Sequence, residues 1–170
     1  KLNLLKWAFT HPERLRPAET RAQLTEQAAS QLGALAQTWR GRGHDPVRVA
    51  HFCQQVLFCL FAEDIDLLPN QMFTRMLKAA KAQPAKAQGR FEALFGAMAT
   101  GGEVGFESVD WFNGGLFTDA QALPLELEDL QQLLALAALD WQAIDPTIAG
   151  TLFVRSLDPA LRAQLGAEYT

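Results

Sequence analysis

The sequence predicts an all-α fold, a multi-helix bundle carrying one irregular or β-hairpin insert at about residues 103–125. Three observations predict it. Apolar residues recur every three to four positions through most of the chain, the mark of helices with one buried face. Three Asp-Pro pairs, Asp45-Pro46, Asp145-Pro146 and Asp158-Pro159, read as helix starts. In each, Asp accepts from free N–H groups of the first turn, and Pro has no N–H to leave unpaired. Glycines punctuate the chain at Gly41, Gly43, Gly101 and Gly102, where the helical periodicity stops.

Taken in order, a short apolar segment, "LNLLKWAF", closes at His11-Pro12. A helix from Pro17 to about Trp39 follows, with Leu24, Ala28, Leu32, Leu35 and Trp39 on one face. Asp45-Pro46 opens "PVRVAHFCQQVLFCLFAED", which is apolar nearly all round beyond Val49 and therefore belongs at the centre of a bundle. After Pro69, Asn70 is placed to cap a helix bearing Phe73, Met76, Leu77 and Ala80, which Pro84 breaks. Phe91, Leu94, Phe95 and Met98 give the next buried face. Helix resumes near Leu127, with Leu130, Leu133, Leu134, Ala137 and Trp141 on one side, and a last short helix ends at Gly166.

A formal net charge of −4 argues against a free-standing nucleic-acid binder. Charge is uneven, however. Arg14, Arg16, Arg21, Arg40 and Arg42 load the first third, as either a basic face for a DNA backbone or a solvated helix surface. Cys53 and Cys59 point in different directions on one helix, so they read as small core residues in a reducing compartment rather than a disulfide or metal pair. The histidines pair with no Cys at zinc spacing, and no apolar run is long enough to span a membrane.

Two clusters invite a functional reading. "WFNGGLF", Trp111 to Phe117, sets Asn113, Gly114 and Gly115 between apolar arms. It is either a hairpin turn whose aromatics pack on the bundle or an anion-holding glycine loop. In "FAEDIDLLP", Glu63 and Asp64 stand at the C-terminal end of the buried helix, where the macrodipole disfavours negative charge. They either accept from backbone N–H groups or an Arg, which would hold the Asn-Gly-Gly turn, or bind a metal. No nucleophile elbow, phosphate loop, dinucleotide fingerprint or Mg²⁺-nuclease arrangement is present, so the chain carries no catalytic constellation.

Five stretches in order, "LTEQAASQLGALAQTWRGRGHDPVRVAHF", "LFCLFAEDIDLLP", "WFNGGLF", "DWQAIDPTIAGTLFVRSLDP" and "RAQLGAEYT", resemble the helical spacer of MmeI-like restriction–modification enzymes. Related adenine methyltransferases of phage-defence systems share the pattern. The resemblance implies a parent chain with a Mg²⁺-dependent nuclease, this spacer, an N6-adenine methyltransferase using S-adenosylmethionine, and a target-recognition domain. It implies a spacer over residues 1–166, with residues 167–170 beginning the methyltransferase. Tyr169 and Thr170 would then form the first edge of the S-adenosylmethionine site, with Glu168 where that family usually has His. On this reading the fragment holds no cofactor or metal and does no catalysis. Its partners are the flanking nuclease and methyltransferase domains, double-stranded DNA is met through the parent, and the setting is a bacterial or archaeal cytoplasm. A free-standing helical adaptor for a protein partner is the alternative. The start at Lys1 without Met, and the ending on Tyr169-Thr170, read as cut ends.

Overall fold

The structure, a computed structural model, describes residues 18–112, 115–147 and 151, with side chains from residue 21 onward. Among the described residues, five α-helices and one small hairpin make an all-α bundle with a hairpin insert: α1 Ala18–Gly41, α2 Pro46–Asp64, α3 Met72–Ala82, α4 Ala87–Thr100, β1 Gly102–Val104, β2 Glu107–Val109 and α5 Leu127–Ala137. The predicted first segment and the short helix after Asp158 lie outside the described residues.

Local chemistry ends and starts the helices where the sequence signals stand. Beyond α1, Gly43 adopts φ +90°, its N–H bonds the Arg40 carbonyl at 2.9 Å, and the His44 N–H bonds that of Trp39 at 3.3 Å. That pair of bonds satisfies carbonyls the helix leaves free. Asp45 then caps α2 by accepting from the Arg48 N–H at 3.1 Å, with Pro46 in the first turn. Asp145 does the same for the Thr147 N–H at 2.9 Å. Asn70 departs from its predicted role. It takes φ +55° in the turn before α3, and its side chain donates to Glu107 instead of capping the helix.

α2 lies at the centre, contacting α1, α3, the turn at Gly115–Phe117 and the turn at Trp141–Ala143. Phe52 is its keystone. Its ring meets Trp39 of α1 at 5.3 Å edge-on, Phe91 at 5.4 Å and Phe95 at 6.0 Å, both of α4. Edge-to-face rings add about 0.5–1.5 kcal/mol each beyond the area they bury. α5 closes the bundle against α1 and α3. Trp141 leaves the helical register predicted for it, standing in a short 3₁₀ turn where its Nε1 donates to the Leu136 carbonyl at 2.8 Å.

The hairpin pairs Gly102 with Val109 and Val104 with Glu107, so its loop is Gly105-Phe106. Gly105 takes φ +67°, the conformation a two-residue hairpin turn asks of its first position. The turn thus precedes "WFNGGLF", in which the sequence reading had placed it.

Candidate functional site

The apolar arms of "WFNGGLF" lie on the bundle. Phe112 meets Phe58 of α2 edge-on at 5.5 Å, and Phe117 meets both Phe58 and Phe95 at 5.4 Å. Asn113 and Gly114 lie outside the described residues. Gly115 opens the 3₁₀ turn without a left-handed φ, and a Cβ there would meet nothing within 4 Å. Gln55, which sequence reasoning passed over, holds this segment. Its side chain, 0% exposed, donates from Nε2 to the carbonyls of Leu116 at 3.0 Å and Asp119 at 2.7 Å. Among the described residues, neither Glu63 nor Asp64 bonds this segment. The reason lies in position on α2: Gln55 sits mid-helix on the face covered by the loop, whereas Glu63 and Asp64 stand at the helix end beside α3 and Gln142.

Glu63 does something else. Both carboxylate oxygens go to Thr74, one accepting its N–H at 2.7 Å and the other its hydroxyl. Thr74 is the third residue of α3, so a side chain from one helix end caps the start of the next. This placement answers the unfavourable dipole at the end of α2 with the favourable one at the start of α3. Glu63→Ala is expected to lower stability by about 1 kcal/mol, as for other lost caps. A urea midpoint indistinguishable from wild type would show that the bond contributes nothing.

Asp64 fares differently. Its Oδ2 is buried without a hydrogen-bond partner, while its main-chain carbonyl accepts from Gln142 at 3.2 Å. Burial raises its pKa above the ordinary carboxylate value, and the neighbouring charges of Asp140, Glu63 and Asp66 raise it further, against a lowering by the Gln142 backbone N–H. A folded-state pKa above the unfolded one means stability is lost as pH climbs between the two. Asp64→Asn is therefore expected to stabilise at pH 7, by less than about 1 kcal/mol because much of the side chain is solvated. At pH 3 the gain should vanish. Thermal melts at the two pH values check this, and equal effects at both would discard it.

Glu63, Asp64 and Asp66 border a cleft of about 630 Å³ between α2, α3 and α5. Among the described residues, no group of three or more His, Cys, Asp or Glu is arranged to hold a metal ion. Cys53 and Cys59 are buried, unbridged thiols whose pKa values burial pushes up, so neither presents a thiolate.

The predicted DNA-facing arginines differ in their settings within the described residues. Arg14 and Arg16 lie outside them. Arg21 is exposed on the first turns of α1, and Arg40 is half-buried near its end. Arg42 is committed to α5: it donates to Asp129 at 2.5 Å and bridges Glu126 at 3.0 Å. Asp129, 1% exposed, also accepts the Glu126 N–H at 2.8 Å and so caps α5. No sequence signal had singled it out. Tyr169 and Thr170 lie outside the described residues.

Gln55, Glu63 and the Arg42–Asp129 pair tie one helix or loop to another, and the class they define is a packed α-helical domain. Residues 47–117 match the protein-family model described as "MmeI, helicase spacer domain". The matched stretch runs from the first turn of α2 through Phe117 and is similar to that spacer domain. No curated protein and no solved structure matches the chain. No described helix is long and apolar enough to cross a membrane.

Proposed function

We propose that this chain is the non-catalytic helical spacer of a DNA restriction–modification or phage-defence methylation enzyme, joining and orienting a nuclease and an N6-adenine methyltransferase. The observation that carries the reading is the spacer-family match over residues 47–117, which takes in the central helix, α3, α4, the hairpin and the turn at Gly115–Phe117. A bundle with an aromatic core holds its two ends at a set separation, whereas a flexible chain of the same length would spread that separation over many values. S-adenosylmethionine and Mg²⁺ belong, on this reading, to the neighbouring domains. Tyr169 and Thr170 would contribute only an edge of the S-adenosylmethionine pocket.

The open reading frame around this segment gives the first test. A methyltransferase in frame downstream supports the spacer, and a stop codon with no such domain favours the adaptor. In the longer protein, replacing residues 18–147 with a flexible Gly/Ser chain should leave methylation in place. Cleavage should then spread over several distances from the methylated adenine. A cut that stays at a single distance would remove the spacing role.

A further inference from the structure

Between Asp66 and Glu92 the sequence contains five cations, Arg75, Lys78, Lys81, Lys86 and Arg90, and no carboxylate, in a chain whose net charge is −4. The fold turns this stretch into one wall of a groove. α3, α4 and the hairpin enclose an open trough of about 600 Å³ whose floor is Met72, Met76, Ala79, Ala93 and Val104. Arg75, Lys78 and Arg90 stand along it. Glu107, the one carboxylate lining it, is held by Arg75 with both contacts at 2.9 Å. Asn70 and then Arg75 keep that carboxyl below its usual pKa, so it stays ionised and occupied. Phe106 projects from the hairpin loop fully solvent-exposed, at 105% of its reference area, next to Gly105 of the trough.

We propose that this groove docks an acidic amphipathic helix of a partner domain or protein. The two halves of the surface decide the occupant together. A phosphate backbone would satisfy the cations and leave the apolar floor and Phe106 wet. A purely apolar helix would cover the floor and leave Lys78 and Arg90 facing it without a carboxylate. A helix with an apolar stripe flanked by Asp and Glu matches both, the stripe against the methionine and alanine floor and the carboxylates against Lys78 and Arg90. Methionine suits such a floor because its unbranched side chain adjusts to the knobs of a facing helix. Phe106 can close over one edge as an anchor. The inference stands on the groove alone and does not require the spacer role.

The test uses the chain itself and a fluorescein-labelled helical peptide of about five turns, with leucines on one stripe and glutamates flanking it. A scrambled peptide of identical composition and a labelled DNA duplex serve as the other probes. Saturable binding of the ordered peptide is expected, with amide NMR shifts confined to α3, α4 and the hairpin. The scrambled peptide should bind at least about tenfold more weakly, and Ala93→Glu, which places a charge on the floor at an exposed position, should cost a similar factor. Phe106→Ser should weaken the ordered peptide and leave the scrambled one unchanged. Thermal melts of both variants should match wild type. Equal binding of the two peptides would reduce the groove to a charged surface and overturn the proposal. No saturation below about 1 mM would do the same. Duplex binding lost in Lys78→Glu but insensitive to Ala93→Glu would assign the surface to nucleic acid instead.

Discussion

Arg42→Ala is expected to destabilise the fold by about 3 kcal/mol, the low end of what breaking a buried ion pair costs. The asymmetry of the pair sets the size. Asp129 is 1% exposed, while the Arg42 side chain keeps 26% of its surface in water. Removing the arginine leaves a carboxylate that water cannot reach. Removing the carboxylate leaves a guanidinium that can still reach solvent and Glu126, 3.0 Å away. Asp129→Asn should therefore cost less, since the amide oxygen can still accept the Glu126 N–H. The double variant Arg42→Ala/Asp129→Asn should recover part of the loss of Arg42→Ala, because the orphaned charge is gone. The hydrogen bond from Arg42 to Asp129 raises the guanidinium pKa further, so the arginine keeps its charge at every working pH. Urea unfolding of the two single variants and the double one measures the coupling. A loss for Arg42→Ala within about 0.5 kcal/mol of zero, the range of an ordinary surface change, would mean the pair is not formed.

Gln55→Leu should cost about 2 kcal/mol, since two carbonyls lose their donor while volume is largely kept. The damage should be local: amide exchange is expected to quicken in residues 115–123 well before the rest of the bundle opens. Gln55→Glu should be worse at neutral pH. It would set a buried carboxylate against the carbonyl oxygens of Leu116 and Asp119, which the amide reaches at 3.0 and 2.7 Å. Its stability should rise as pH falls, because the protonated acid regains a donor and the folded state then holds that proton more tightly than the unfolded one. A Gln55→Glu variant with the same melting temperature at pH 4.5 and 7.5 would contradict this geometry.

The helices were legible because their signals act within a turn or two of chain. Gly43 permits the left-handed residue that ends α1, and Asp45-Pro46 starts α2 through a bond spanning three residues. Periodicity identified Leu32, Leu35, Trp39, Phe91, Leu94, Phe95 and Met98 as core, and all are buried. Residue composition also placed the irregular insert, although it put the hairpin turn at Asn-Gly-Gly rather than at Gly105-Phe106. Both sites offer a permissive glycine. The register Val104–Glu107, together with the Asn70 and Arg75 contacts to Glu107, is what favours the earlier one.

What the sequence could not assign is who meets whom across the bundle. Gln55 and Leu116 are 61 positions apart, and Arg42 and Asp129 are 87 apart. Glu63 was recognised as a carboxylate in need of a partner, but Thr74 became that partner only once α2 and α3 had set their ends together. By itself, then, the sequence determined most of the helix spans and the apolar faces, though not the cap of α3 or the end of α5, because caps, glycines and periodicity are decided by neighbours along the chain. Tertiary structure alone decided the polar ties and the cationic groove, because helix faces are brought together by the burial of all their apolar surface at once, and only that packing selects which distant donor stands beside which acceptor.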